Sequence, residues 1–361
     1  MYDYLIVGCG LFGATFANKA KEDGKKSLII DSRNHIGGNC YTENLEGINI
    51  HKYGPHIFHT NNEEIWSYVN KFSKFNHYVN RPKVNYKNKI FSFPINLFTL
   101  YQLWGVSTPK EAEQKINDSK ININNPSNLE EWILSQVGEE IYYTFIHGYT
   151  KKQWGKDPKE LPSLIIKRLP IRFNFDDNYF FDRFQGIPIG GYTQMISNML
   201  EGIDIILDEN YFNKREYWNS KAKKIIFTGK IDEYYNYKYG ELEYRSLRFE
   251  TEKVFVKDYQ GNAIINYTEY NIPYTRVIEH KHFEFGSQEY TYVTKEYPQG
   301  WDRKKTPYYP INDEKNNYIY NKYKNIKDES VIFGGRLAEY KYYDMHQIIA
   351  SAINKFNKII K

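Results

Sequence analysis

The chain has 361 residues, 26% of them charged and 41% hydrophobic, a balance that allows a sizeable buried core and argues against a disordered chain. Its formal charge of +5 comes with Lys and Glu interspersed rather than in runs, so neither a nucleic-acid arm nor a polybasic membrane patch is expected, whereas small anionic substrates suit it. Cys9 and Cys40 are too few for a disulfide framework and each lies beside a glycine motif, which fits a reduced, cytoplasmic setting.

The first ten residues, "MYDYLIVGCG", carry no basic leader and reach glycine after a short apolar run, so neither a signal peptide nor a membrane span is expected. "YLIVG" reads as a buried parallel strand, "LFGATFANKAKEDG" as a helix closed by Gly24, and "KSLIID" as a second strand, together a βαβ unit. Gly8, Gly10 and Gly13 form G-x-G-x-x-G between the strand and the helix. Gly8 permits the tight turn, Gly10 lets the backbone approach a pyrophosphate, and Gly13 lets helix and strand pack closely. Asp31 ends the second strand, where an acid can take ribose hydroxyls. NAD and FAD both satisfy this constellation. The continuation "DSRNHIGGN", with Ser32, Arg33, the Gly37–Gly38 pair and Asn39, favours FAD, because it resembles the second signature of amine-oxidase-like flavoproteins.

The stretch "HKYGPHIFHT" holds three of the nine histidines. His51, His56 and His59 stand at spacings of five and three in a segment broken by glycine and proline, with no cysteine or carboxylate cluster to complete a ligand set, so no metal site is expected.

From 63 to 165 the texture is mainly helical, with Trp132, Val137, Ile141 and Phe145 at core spacing. From 245 to about 310 it turns to alternating strands bounded by Gly, Asn and Pro. "AKKIIFTGKID" and "SVIFGGRLAEYKYYDMHQ" return to buried strand, glycine turn and helix, and read as later strands of the first sheet. The expected fold is therefore α/β. It has a discontinuous Rossmann-like FAD-binding domain (1–62, 190–244, 316–361), an inserted helical domain (63–165), an antiparallel sheet domain (166–189, 245–315) and a mobile loop near 155–175.

The segments "IGGNCYTE", "IHKYGPHIFHT", "GYTKKQWG", "KELPSLIIKRLPIRFNFDDNYFFDRFQGIPIGGYT", "IPYTRVIEHKHF", "VTKEYP", "PYYPIND" and "FGGRLAEYKYYDMHQ", in this order, resemble the bacterial, flavin-dependent UDP-galactopyranose mutase family over the whole chain. Pro55 and Cys9 depart from it, standing where alanine and serine are usual. The resemblance implies an isomerase for the reversible, redox-neutral conversion of UDP-galactopyranose to UDP-galactofuranose. It acts on reduced FAD (FADH−) through a covalent bond between flavin N5 and the sugar, in a cleft between the domains. It further implies a separate electron donor, a homodimer, and a part in cell-surface polysaccharide biosynthesis.

The same resemblance assigns Arg168 and Arg276 to the diphosphate, with bidentate charged contacts as the physical reason. It assigns Tyr149, Trp154 and Tyr179 to uridine, sugar and diphosphate, the hydroxyls of Tyr309 and Tyr342 to the phosphates, and His59, with Asn266 and Gln102, to the substrate. His56 is placed beside flavin N5, and the cofactor set comprises Gly8, Gly10, Leu11, Phe12, Gly13, Asp31, Ser32, Arg33, Gly38, Asn39, His56, Ile57, Arg336, Tyr342, Asp344 and Met345. Two other readings stay open: a flavin oxidoreductase of the amine-oxidase-like group, and a nucleic-acid or membrane-surface binding protein.

Overall fold

The structure, a computed structural model, describes residues 1–163 and 171–360. The chain divides into two compact units, Met1–Tyr78 with Asp182–Ser246 and Trp301–Lys361, and Val79–Phe181 with Leu247–Gly300.

The first unit is built on a five-stranded sheet in the order Val331–Phe333, Ala222–Phe227, Tyr2–Val7, Ser27–Ile30, Asp204–Ile206, with every pair parallel. Parallel strands need long crossovers and helices on both faces, which is why these segments are short apolar runs rather than alternating ones. Helices Leu11–Glu22, Gly191–Met199 and Met345–Ile360 supply one core, in which Phe16 meets Tyr4 and Phe356 edge-on at 5.2 and 5.5 Å. Each fully buried aromatic or aliphatic side chain there contributes about 1.5–3 kcal/mol, so the C-terminal helix is held chiefly by Ile349 and Phe356. Tyr211, Trp218, Phe227 and Tyr234 belong to a second apolar core. The late segments 222–227 and 331–333 thus complete the sheet begun by residues 2–30, as their texture predicts.

The expected domain limits shift for identifiable reasons. Helix Glu63–Val69, capped by the Asn62 side chain on Ile65 N–H at 3.0 Å, buries Ile65, Tyr68 and Val69 in the core of the first unit rather than beginning a helical domain. Strand Phe58–Thr60 pairs antiparallel with Phe184–Gly186, which draws the chain from Asp182 onward into the first unit and away from the sheet domain expected for 166–189. Tyr309–Pro310 pairs with Tyr244 and Arg245, and does the same for the chain after Trp301.

In the second unit helices and sheet form one body, not two. Hairpin strands Lys83–Tyr86 and Lys89–Ser92 lie inside the stretch expected to be helical, and the first pairs parallel with Ile264–Tyr267. The sheet runs onward through Arg276–Glu279 and Thr291–Gln299 to Tyr244–Val254. Lys87 and Asn88, with φ of 51° and 60°, make the tight hairpin turn. Against the hairpin pack helices Leu97–Trp104, Pro109–Ser119 and Leu129–Ile141, the second opened by a Thr108/Glu111 capping box. Val137, Ile141 and Phe145 are buried as their spacing predicts, and Trp132 lies at the margin of the same core. Among the described residues no helix is long and apolar enough to cross a membrane.

Candidate active site

A cavity of about 350 Å³ opens in the first unit where strands Tyr2–Val7, Ser27–Ile30 and Ala222–Phe227 end. The carboxyl edge of a parallel sheet is where such folds bind ligands. Gly8 leaves the first strand with φ of 111°, and a Cβ there would lie 2.0 Å from Thr228 Oγ1. Gly37 N–H donates to Cys9 O at 2.9 Å, which brings the two glycine segments so close that a Cβ on Gly38 would stand 2.9 Å from Gly10 Cα. Gly13 is packed even more tightly on the strand, its notional Cβ falling 2.1 Å from Gly8 O.

Asp31 ties this floor together, its carboxylate accepting from Cys9 N–H at 2.6 Å and Arg33 N–H at 2.9 Å. Each carboxylate oxygen has a second lone-pair site, so Asp31 retains acceptor capacity for a hydroxyl. Arg33 lies 4.4 Å over the Tyr53 ring and donates from Nη2 to Asn39 Oδ1 at 2.9 Å, while its Nη1 is buried without a hydrogen-bond partner. A buried guanidinium nitrogen left over on the wall of a glycine-floored cavity fits an anionic dinucleotide, which would supply the missing acceptor.

Gly8, Gly10, Leu11, Phe12, Asp31, Ser32, Arg33, Gly38, Asn39, His56, Arg336 and Met345 line the cavity. Gly13, Ile57, Tyr342 and Asp344 do not; Gly13 and Ile57 are buried, and Asp344 opens the C-terminal helix, its carbonyl accepting from Ile348 N–H at 3.0 Å. Glu209, Tyr211, Thr228 and Glu233 also line it and carry no motif in the sequence; they sit just beyond sheet strands, the one signal that could have found them.

His56 donates from Nδ1 to Gly54 O at 2.8 Å, and its own backbone N–H donates to His51 Nδ1 at 3.0 Å. Burial, reinforced by the Arg336 charge and only partly offset by the Gly54 bond, pushes His56 down to about 4. It is neutral at pH 7, with Nε2 left as an acceptor. Arg336 is fixed by the carbonyls of Tyr343 at 2.7 Å and Tyr308 at 3.3 Å, and lies 5.3 Å from the Tyr342 ring, which stacks on Tyr309 at 5.3 Å.

The second unit gathers other predicted residues. Arg276 begins a strand opposite Asn266, donates from Nη2 to the Tyr149 hydroxyl at 2.8 Å, and lies 3.4 Å from the buried carboxylate of Glu296. Tyr149 is delivered by helix His147–Trp154, whose approach is fixed by Gly148: a Cβ there would fall 2.2 Å from Thr268 O. Lys152 on the same helix buries its ammonium among the carbonyls of Tyr267, Ile272 and Tyr274, at 2.7, 3.0 and 2.8 Å. Glu296 and Lys152 were not singled out in the sequence, although both lie inside the motifs "VTKEYP" and "GYTKKQWG".

Trp154 packs at the edge of the apolar core, and Tyr179 is exposed beside the Phe93 ring. Gln102 does not join the Arg276 group. Its amide accepts from Ser92 N–H at 2.8 Å and donates to Ile90 O at 3.0 Å, securing the hairpin. Arg168 lies outside the described residues, as does the centre of the expected mobile loop. The described part of that loop is anchored, with Leu161 buried and its carbonyl accepting from Leu129 N–H at 2.8 Å.

Comparison with known proteins places these features in a family. The family profile for UDP-galactopyranose mutase matches residues 144–342, and a profile for an NAD(P)-binding Rossmann-like domain matches residues 6–72. An Escherichia coli protein named dTDP-fucopyranose mutase is 43% identical, over 100% of this chain and 99% of that one. A Klebsiella pneumoniae protein named probable UDP-galactopyranose mutase is 40% identical over 99% and 94%, and the Mycoplasma genitalium UDP-galactopyranose mutase is 30% identical over 99% and 95%. In fold, the chain resembles a crystal structure of reduced UDP-galactopyranose mutase with a TM-score of 0.74 at 12% identity, over 100% of this chain and 96% of that one. The chain belongs to the UDP-galactopyranose mutase family.

Proposed function

We propose that the protein is an FAD-dependent isomerase that interconverts UDP-galactopyranose and UDP-galactofuranose. The observation that carries the reading is the family match over 144–342, which spans Tyr149, Trp154, Arg168, Tyr179, Asn266, Arg276, Tyr309, Arg336 and Tyr342. Arg168 and Arg276 hold the diphosphate, as fixed, always-charged forks that keep UDP bound while it is detached from the sugar. Tyr149 contacts uridine and Trp154 the sugar, with Asn266 and His59 beside them, and Tyr179, Tyr309 and Tyr342 reach the phosphates.

FAD occupies the glycine-floored cavity, with Arg33 supplying an unengaged donor and Asp31 an acceptor. When bound and reduced, it supplies the nucleophile for the anomeric carbon, so no side chain of this protein has to bond to the sugar. His56, neutral at the cavity wall, positions the ring system. An electron donor of the cell must supply reducing equivalents once, since the conversion itself consumes none. A cytoplasmic homodimer serving surface-glycan synthesis fits a sugar-nucleotide substrate.

A second reading concerns the substrate alone. The 43% identity to a protein named dTDP-fucopyranose mutase favours testing a deoxythymidine nucleotide with a 6-deoxy sugar. The experiment is to purify the flavoprotein, reduce it with dithionite, and compare kcat/KM for UDP-galactofuranose and dTDP-fucofuranose, with Arg168→Ala and Arg276→Ala beside the wild type. Conversion of the uridine nucleotide after reduction, lost in both variants with flavin retained, is the expected result. Turnover by fully oxidised protein would defeat the mutase reading, and a strong preference for the deoxythymidine nucleotide would move the substrate to the second one.

A further inference from the structure

Arg172 is 7% exposed and stands at the foot of the turn that displays Tyr179. Its Nη1 donates to the carbonyls of Asp176, at 3.0 Å, and Asn178, and lies 3.2 Å from the Asp176 carboxylate. The Phe181 ring covers the guanidinium at 4.0 Å and is itself 71% exposed. Nε and Nη2 are buried and find no hydrogen-bond partner among the described residues. One nitrogen of the fork thus gathers three acceptors from a single turn while two others go unused. Donors left unpaired in the interior destabilise a fold, so packing alone favours an apolar side chain at this position.

The turn is also braced from its outer side. Asp176 N–H donates to Asn174 Oδ1 at 3.1 Å and Asn178 N–H to Asp176 Oδ1 at 3.0 Å, two Asx turns in succession. Asp177 pairs with Lys83 at 3.0 Å and Arg81 at 3.1 Å, and Tyr179 N–H donates to Asn80 O at 2.8 Å. Arg172 meets these contacts from the buried side, so the backbone that carries Tyr179 is held from both.

We propose that, given the diphosphate role of Tyr179 in the proposed function, Arg172 is a positioning residue for that subsite. Its guanidinium sets the 176–181 turn so that Tyr179 meets the phosphates, and Phe181 shields the guanidinium from solvent. A planar fork holds several acceptors in fixed directions, which an ammonium on a flexible stem does not. A displacement of the turn by about 1 Å is enough to lose a productive contact. Arg172 therefore acts through Tyr179 and not by its own charge on the substrate.

The test measures dissociation constants on the flavin-loaded full chain for UDP beside uridine and for dTDP beside thymidine. Arg172→Lys is expected to bind the nucleoside diphosphates about 10-fold more weakly than wild type and the nucleosides with unchanged affinity. In a Tyr179→Phe background the same substitution is expected to add less than about 2-fold, as for two residues that act as one unit. Flavin content and circular dichroism check folding. Phe181→Leu alters an exposed ring, is expected to weaken diphosphate binding about 2- to 5-fold, and decides the matter if Arg172→Lys does not fold. Losses from Arg172→Lys and Tyr179→Phe that multiply, or an equal loss for diphosphate and nucleoside, overturn the proposal, as does full diphosphate affinity in Phe181→Leu. Wild type that binds UDP or dTDP but isomerises neither nucleotide sugar after reduction would defeat the mutase reading, while the binding cycle still decides the role of Arg172.

Discussion

Arg276 donates from Nη2 to the hydroxyl of Tyr149 at 2.8 Å, across 127 residues of sequence. The bond joins a strand start to a helix, so the guanidinium is aimed rather than left to sample rotamers. Only 24% of the side chain is exposed, and the Glu296 carboxylate at 3.4 Å holds its other flank.

Removing one donor–acceptor contact to a charged group costs about 1.5–3 kcal/mol, so Tyr149→Phe should lower kcat/KM roughly 10- to 100-fold without changing flavin content. Arg276→Lys should fall further, because an ammonium cannot keep Tyr149, Glu296 and a diphosphate engaged together. Steady-state kinetics on the reduced protein check both. A Tyr149→Phe variant as active as wild type would mean that the bond does not aim the arginine.

The floor of the cavity predicts a sharp contrast between two glycines. At Gly38 a Cβ would stand 2.9 Å from Gly10 Cα, backbone against backbone, with φ of 56°. Gly38→Ala should therefore lose bound flavin almost completely. Gly24 has φ of 72° but open space around it, so Gly24→Ala should cost only about 1 kcal/mol and keep its flavin. Flavin absorbance per mole of purified protein separates the two.

These glycines also mark what the sequence made legible. Strand, glycine turn and helix are local patterns, and the βαβ unit and the late return of 222–227 and 331–333 to the same sheet could be read from them. The hairpin at 83–92 was hidden because its turn is Lys87–Asn88 rather than a glycine pair, though both residues adopt positive φ. The 58–60 to 184–186 pairing was hidden for another reason: three-residue strands separated by an inserted unit leave no periodicity to detect. The same gap concealed Asp182, whose carboxylate engages His59 beside that pairing. Arg276 was found through its motif, whereas Lys152 and Glu296, which fix its surroundings, look like ordinary surface charges until their burial is known.

His56 provides a pH test. Its folded-state value of about 4 lies below the ordinary imidazole value of 6.5, so the unfolded chain binds the extra proton first. Stability from keeping this ring neutral is fully present above pH 6.5 and is lost as the pH falls through about 4. His56→Gln should flatten the acid decline of urea-unfolding stability in that window. Because the ring stays neutral across pH 5–8, the kcat profile of the variant should keep the wild-type shape at a lower level. Loss of a limb near neutrality in His56→Gln would instead identify His56 as a proton carrier.

Lys152 gives the last prediction, and its sign is opposite to intuition. Its ammonium donates to three carbonyls, yet burial outweighs them and pushes it down to about 8 from 10.5. Over the interval between those values the unfolded chain holds a proton that the folded one has released, so folding is favoured as the pH rises. Lys152→Met removes the donor for the buried carbonyls of the 267–274 turn and should cost about 2 kcal/mol at pH 7.5. The gap between wild type and variant should widen, not narrow, as the pH is raised from 8 toward 10. Lys152→Arg, which stays charged throughout, should keep a constant gap to Lys152→Met over this range, so that wild type alone gains with pH. Denaturant unfolding of the three proteins across that range decides it: a gap that shrinks with pH would mean that the ammonium form, not the neutral amine, is the one the fold prefers.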